Sequence, residues 1–381
     1  MTKFVIFSIL GLTVGVLIGI FFIKSETTIP FLKKNLPGKQ IIGFLPYWQL
    51  DKASQNEEKY LTELAYFAIT VGGDGHLVKL IDNQQEEPGW YDLQSDKLAN
   101  ILRTAYKNKV KLSLVIASGD ASAINELIKN PAKHAQILIK EVSPIMKNNH
   151  FTDLNLDIED TAVVSKIEQT QFTQFVQSVK QQLDKENLGS LTLEISPTDA
   201  VKNNLINLSA VGAYANTIVI MAYDYHSPDS FVTGPVAPLN GAGIDSEYDV
   251  TTAVEEALQK IPANKVVLGM PLYGYEWETL NTAVRSAIIP GSGVLASNNR
   301  AESFLTTCAS CSAFFDNESQ EAFVEYLDTS DQTIHQISFP NKQSVEAKLN
   351  FAIKEELSGV AIWALGYESD SILSPLLQYK Q

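Results

Sequence analysis

The chain has 381 residues, is 45% apolar and carries a formal net charge of −15. That length and apolar content exclude a disordered chain and suit a single α/β barrel with an insertion. A negative field repels phosphate backbones and anionic lipid heads, which excludes nucleic acid as a partner.

Residues 4–23, FVIFSILGLTVGVLIGIFFI, are uncharged over about 20 positions, roughly 30 Å of helix and the thickness of a bilayer's hydrocarbon core. A cleaved secretory signal has a shorter apolar region and a small-x-small cleavage site, and the FFIKSETT found here is a weak one. The expectation is an N-terminal transmembrane helix, residues 1–24 forming the anchor; a cleaved signal and a buried core helix are the alternatives. Lys3 stands on one side against Lys24, Lys33, Lys34 and Lys39 on the other. Long domains nevertheless translocate largely regardless of charge. The protein is therefore expected to be exported and tied to the cell membrane through residues 4–23, with its globular part outside, or secreted if the segment is cleaved. Residues 25–39, polar with Pro and Gly, read as a linker, and the globular region is 40–381.

Within it, IIGFLPYW (41–48) reads as a buried strand ending in aromatics, and LAYFAITV (64–71) is the next apolar run before the turn GGDGH. A helical pattern at 95–108 leads to KLSLVIAS (111–118), and helices at 121–129 and 132–148 lead to FTDLNLDIED (151–160). A helix at 164–185 precedes SLTLEIS (190–196), followed by NTIVIMAYDYH (216–226), a helix near 250–260 and the run KVVLGMPLYGYEW (265–277). Residues 278–341 lack that alternation. They hold short strand candidates, AFVEYL and TIHQISF, and the pair Cys308 and Cys311. A disulfide across that short loop and two free thiols are equal alternatives. A second Cys or His pair to complete four zinc ligands is lacking, so no metal is expected. A helix at 343–357 precedes GVAIWALG (359–366).

Short apolar runs alternating with helical patterns indicate a parallel sheet, and eight such runs favour a closed (β/α)8 TIM barrel. Residues 278–341 then form a small β-containing insertion between the seventh and eighth strands. The dinucleotide fingerprint Gly-x-Gly-x-x-Gly opens no helix. Barrel active sites lie at the C-terminal ends of strands, where this chain places PYW, LDIED, AYDYH and IWALG.

In LNLDIED the side chains of Asn155, Asp157 and Glu159 point inward, with Leu154, Leu156 and Ile158 toward the surrounding helices. Asp157 and Glu159 then stand about 6–7 Å apart on one face. Two carboxylates in a partly dry site cannot both ionise freely, so one holds a proton near neutrality, as a general acid must. A solvated acidic strand edge and a hard-cation site are the alternatives that this stretch alone leaves open.

The surrounding motifs resemble glycoside hydrolase family 18, the chitinase-like barrels. The family's fourth strand carries Asp-x-x-Asp-x-Asp-x-Glu, whose last alternating positions fall on Asn155, Asp157 and Glu159. Its sixth strand ends in Met-x-Tyr-Asp, matched by Met221, Tyr223 and Asp224. Its seventh reads Gly-x-Pro-x-Tyr-Gly, matched by Gly269, Pro271, Tyr273 and Gly274, and its eighth ends in a Trp, matched by Trp363. AIWALGYES and the segment before it resemble the bacterial cell-wall and spore-lysin branch of N-acetylglucosaminidases. Two positions depart from the pattern: Thr152 replaces the motif's first Asp, and Asp153, expected to turn outward, replaces a Gly.

The resemblance implies a glycosidase acting on a polysaccharide that contains β-linked N-acetylglucosamine, of peptidoglycan or chitin type, with no cofactor. It makes Glu159 the general acid. Asp157 orients the acetamido group and stabilises its developing charge, and Tyr223 donates to the acetamido oxygen. Asn155, Met221, Asp224 and Tyr273 bind or support the substrate, and Trp363 stacks under a sugar ring. Tyr47, Trp48 and Trp277 line the groove or pack, and His226 reads as a satisfied loop residue. The rival reading is a family member that binds sugar at the envelope without cleaving it. Retention of both Asp157 and Glu159 argues against it.

Overall fold

Eight parallel strands close into a barrel in the computed structural model, which describes residues 39–52, 59–82, 84–160, 164–202, 204–330 and 332–380. In chain order they are β1 (Gln40–Pro46), β2 (Glu63–Thr70), β3 (Lys111–Ser118), β4 (Asp153–Ile158), β5 (Ser190–Ile195), β6 (Thr217–Ile220) and β7 (Val266–Pro271). A five-stranded antiparallel sheet follows: β8 (Tyr273–Thr279), β9 (Val294–Ser297), β10 (Ser312–Asp316), β11 (Glu321–Asp328) and β12 (Thr333–Phe339). β13 (Gly359–Trp363) then returns between β7 and β1 and closes the barrel.

The predicted helices appear at Asp96–Lys107, Ala121–Lys129, Pro131–Asn149, Lys166–Glu186, Val250–Leu258 and Lys342–Lys354. Their starts are chemically marked. Ser95, Asp120 and Asp249 each accept a hydrogen bond from the first turn, and Ser165 with Glu168 makes a full capping box. His150 and Asn187 end their helices in left-handed backbone. The expected anchor at residues 4–23, and the linker up to residue 38, lie outside the described residues. Among the described residues no helix is long and apolar enough to cross a membrane.

Strand parity sorts the side chains as the alternation predicts. Leu154, Leu156 and Ile158 are buried in the apolar layer between sheet and helices. Ile42, Phe44, Ala65, Val115, Val219, Val267 and Ala361 fill the barrel's interior, with Phe67, Ala117 and Trp363 packed on them. Near the N-terminal end of the strands the interior is ionic. Here Asp153 corrects the sequence expectation: it does not turn outward but is fully buried, accepting from Ser113 Oγ at 2.9 Å and from Ser190 Oγ. Lys111 Nζ stands 3.5 Å from Asp153 and 3.2 Å from Glu63. The position usual for glycine is thus used to anchor a buried ion network.

The antiparallel sheet lies between β7 and β13 in sequence but begins earlier than predicted, at Tyr273 rather than residue 278. KVVLGMPLYGYEW is two strands broken at Leu272: Val266–Pro271 belongs to the barrel, and Tyr273–Thr279 pairs with β9 and β12. Gly274 makes this pairing possible, since a Cβ there would sit 1.8 Å from the Ser338 carbonyl oxygen. Cys308 and Cys311 form a disulfide with Cα atoms 5.6 Å apart, after the helix Asn298–Thr307. A buried ion pair, Lys348 Nζ to Glu321 Oε1 at 3.0 Å, ties β11 to the helix Lys342–Lys354.

Candidate active site

The C-terminal ends of β4, β5, β6 and β13 converge on one acidic centre with an aromatic flank. On β4, Asn155 and Asp157 are buried, and Glu159 stands just past the strand, partly open to solvent. Its backbone N–H donates to Ser118 O at 2.9 Å, which fixes where the side chain leaves β4. The Asp157 and Glu159 carboxyls stand close enough that the ionisation of each depends on the other. Burial, and then the Glu159 charge, hold Asp157 well above the usual carboxylate range. Burial and the charges of Asp199 and Asp224 also raise Glu159, against the hydrogen bond from Asp157. A pair so placed retains a proton where isolated carboxylates would have lost it.

Tyr223 follows β6, and its phenol faces this centre. Burial, then the carboxyls of Glu194, Asp157, Asp224 and Glu159, push its ionisation well above the ordinary value, so it is a hydrogen-bond donor throughout the physiological range. Asp224 adopts left-handed backbone at φ 60°, a conformation Asp tolerates better than most residues. Its Oδ1 accepts from Tyr273 at 2.6 Å and from Tyr275 at 2.8 Å. Tyr273 also packs on Tyr223, with ring centroids 6.3 Å apart. Beside Tyr223 and Asp224 opens a cavity of about 240 Å³, bounded also by Thr198, Lys202 and Tyr248.

Trp363, at the end of β13, is half-buried among Phe67 (4.5 Å between ring centroids), Phe44 (5.8 Å) and Trp48 (6.2 Å). Tyr47 packs edge-on against Trp48, which is 47% exposed. The remaining expectations fare differently. Met221 is buried, with only 8% of its surface exposed. Trp277 is wholly buried and donates to Ser227 O at 3.1 Å, so it packs and does not line the groove. His226 is buried and bonded to Pro235 O at 2.9 Å, a satisfied loop residue.

Three residues escaped the sequence reading. Tyr275 is the second donor to Asp224. Asp199, which caps the short helix Pro197–Val201 and is bonded to Ser196, faces Glu159. Glu194 on β5 is buried beside Asp157. Parity was the available signal for Glu194: in SLTLEI, Thr192 and Glu194 share the face opposite the apolar residues.

The fold and site define a (β/α)8 barrel with a carboxyl pair, a phenol and aromatic rings at the C-terminal rim, where barrel enzymes place their active sites. The chain belongs to glycosyl hydrolases family 18, whose family profile matches residues 40–368. It is similar to the cortical fragment-lytic enzyme of Bacillus subtilis (strain 168), 23% identical over 329 residues that cover 83% of this chain and 67% of that protein. Among solved structures, the Group IV chitinase of Ostrinia furnacalis in complex with allosamidin has a TM-score of 0.75 at 20% identity, covering 90% of this chain and 97% of that one. The spore cortex-lytic enzyme SleL of Bacillus megaterium QM B1551 has a TM-score of 0.68 at 22% identity, covering 90% and 74%.

Proposed function

We propose that this glycoside hydrolase cleaves β-linked N-acetylglucosamine glycans by substrate-assisted, retaining catalysis, outside the cell and tethered through residues 4–23. The observation that carries the mechanism is the placement of the Asp157 and Glu159 carboxyls side by side, two residues apart on one face of β4 and its end. A conventional retaining glycosidase sets a carboxylate nucleophile opposite the acid. Asp157 approaches from the same side as Glu159 and is badly placed for backside attack.

The substrate's own 2-acetamido oxygen fills that role. Glu159 gives its proton to the glycosidic oxygen as the bond from that oxygen to the anomeric carbon breaks. The acetamido oxygen bonds to the anomeric carbon and forms a cyclic oxazolinium ion. Asp157 carries the balancing negative charge, and Tyr223 donates to the former amide oxygen. Water then attacks the anomeric carbon from the face the leaving group vacated, the bond from that carbon to the acetamido oxygen breaks so that the amide re-forms, and Glu159 recovers a proton from the water. Trp363 gives the sugar ring an apolar floor, and Asp224, pinned by Tyr273 and Tyr275, borders the same space. The cortical fragment-lytic and chitinase names of similar proteins support a glycan of this class. The cell-wall branch favours peptidoglycan strands over chitin.

The test compares hydrolysis of a chito-oligosaccharide and a peptidoglycan glycan strand with analogues lacking the N-acetyl group on the sugar whose bond is cleaved. Cleavage is expected only with that group present, with retained anomeric configuration and tight binding of thiazoline analogues. Efficient cleavage of glucosamine or glucose in that position, or an inverted product, refutes the mechanism.

A further inference from the structure

The centre of the barrel contains a cluster of oxygens that the mechanism above leaves unused. The register pairs Asn155 with Thr192 and Leu156 with Leu193, so the next step brings Glu194 of β5 level with Asp157 of β4, both on the inward face. Glu194 is 1% exposed. Apart from the neighbouring Asn155 amide, no donor reaches its carboxylate oxygens, and Oδ1 of Asp157 and Oδ1 of Asn155 have no hydrogen-bond partner. Four acceptors in one dry patch need a donor, because an ionised and unpartnered buried carboxylate is among the costliest groups a fold can hold. The ion pairs of the described residues bring no Lys, Arg or His to Glu194, and no group of carboxylates there is arranged to hold a metal ion.

We infer that Glu194 is a positioning residue for the catalytic pair: it keeps its proton and donates it to the inward oxygen of Asp157. Three carboxyls then hold two protons. Glu194 supports Oδ1 of an ionised Asp157, and the other oxygen of Asp157 accepts from a protonated Glu159. That is the protonation state the proposed reaction requires, and the inference rests on that reading. It places on a neighbouring strand a support for Asp157 that its own strand, with the neutral Asn155, lacks. For Glu194 itself, burial, then Asp157 and Glu159, push the carboxyl well above the usual carboxylate range, with the Asn155 amide pulling the other way.

The titratable groups facing Glu194 are Asp157 and Glu159 from β4 and its end, and Tyr223 from the end of β6. β3 contributes the neutral Ala117 opposite Asp157, and Asp199 and Asp224 act on Glu159. Removing the donor makes Asp157 harder to ionise, so the acid limb of the kcat profile moves to higher pH.

Two variants and one activity-independent reading decide the matter. E194Q keeps a donor and loses the acid; kcat is expected to stay within about fivefold of the parent. E194L keeps volume and loses the donor; kcat is expected to fall about 10–100-fold with KM little changed, and the acid limb to move up. In the infrared, the parent-minus-E194Q difference spectrum at neutral pH should show the carbonyl band of one protonated, buried carboxyl, distinct from those of Glu159 and Glu63, which both proteins share. If E194L does not fold, E194Q and the infrared band decide alone. Equal losses in E194Q and E194L, an unchanged kcat and acid limb in E194L, or a parent-minus-E194Q difference spectrum without a protonated-carboxyl band each overturn the inference. The infrared reading needs no turnover, so a parent that cleaves no N-acetylglucosamine glycan refutes the proposed reaction while the proton on Glu194 is still tested.

Discussion

Lys348→Met tests whether the inserted sheet is locked to the barrel by one buried charge pair. Lys348 and Glu321 are 1% and 0% exposed, and Nζ lies 3.0 Å from Oε1. The other oxygen, Oε2, accepts from the Val236 N–H at 2.9 Å, and Val236 O in turn accepts from Tyr225 N at 3.1 Å. One carboxylate therefore joins the inserted sheet, the barrel helix Lys342–Lys354 and the loop that leaves Asp224. Methionine fills the space of the lysine stem but leaves Glu321 charged, dry and held by one amide. Breaking a buried pair in this way costs about 3–5 kcal/mol, a large share of the ~5–15 kcal/mol that keeps a domain folded. Adding Glu321→Gln removes the stranded charge and keeps an acceptor for Val236, so the double variant should return to within about 1–2 kcal/mol of the parent. Urea unfolding followed by tryptophan fluorescence measures both, with Trp277 reporting on the inserted sheet. A single variant costing less than about 1 kcal/mol, or a double variant no better than the single one, would refute the reasoning.

Tyr223→Phe is expected to lower kcat by about 10–100-fold and leave KM nearly unchanged, because the oxazolinium state makes the stronger use of the phenol; steady-state kinetics with loss confined to KM would contradict this. Glu63, buried in the ionic end of the barrel, is pushed up to about 7 by burial and by Asp153, against Lys111. Its folded value lies above its unfolded one, so its contribution to stability is full below about pH 4.5 and is lost as pH rises through about 7. Glu63→Gln should therefore gain about 2–3 kcal/mol relative to the parent between pH 5 and 8 in urea unfolding, and a flat difference would refute it. The full chain should stay with membranes through high-salt washing and leave them in detergent, since apolar burial is not screened; a soluble mature form beginning near Ser25 would show a cleaved signal instead.

Much of the barrel and of its acid pair was legible because both rest on period-2 alternation. LNLDIED can face only one way if Leu154, Leu156 and Ile158 meet the helices, and that places Asn155, Asp157 and Glu159 inside. Aromatic and acidic strand ends likewise pointed to the rim where Tyr223 and Trp363 stand. Three features were harder to read. KVVLGMPLYGYEW is extended throughout, and only the change of partner at Leu272, a tertiary event, divides it. Asp153 was expected outside because a charge where glycine is usual suggested displacement; Lys111, Ser113 and Ser190, all distant in sequence, make the interior hospitable to it. Glu194 sits in SLTLEI, which looks like any half-wet strand until the closed barrel makes both faces dry.

Glu159→Gln bears most directly on the central claim. The amide keeps the size of the side chain and cannot deliver a proton, so hydrolysis of a chito-oligosaccharide should fall by about 10²–10⁴-fold. Binding of the same sugar, followed by calorimetry, should persist. Turnover within a few fold of the parent would contradict the assignment of Glu159 as the acid, and with it the account of this site.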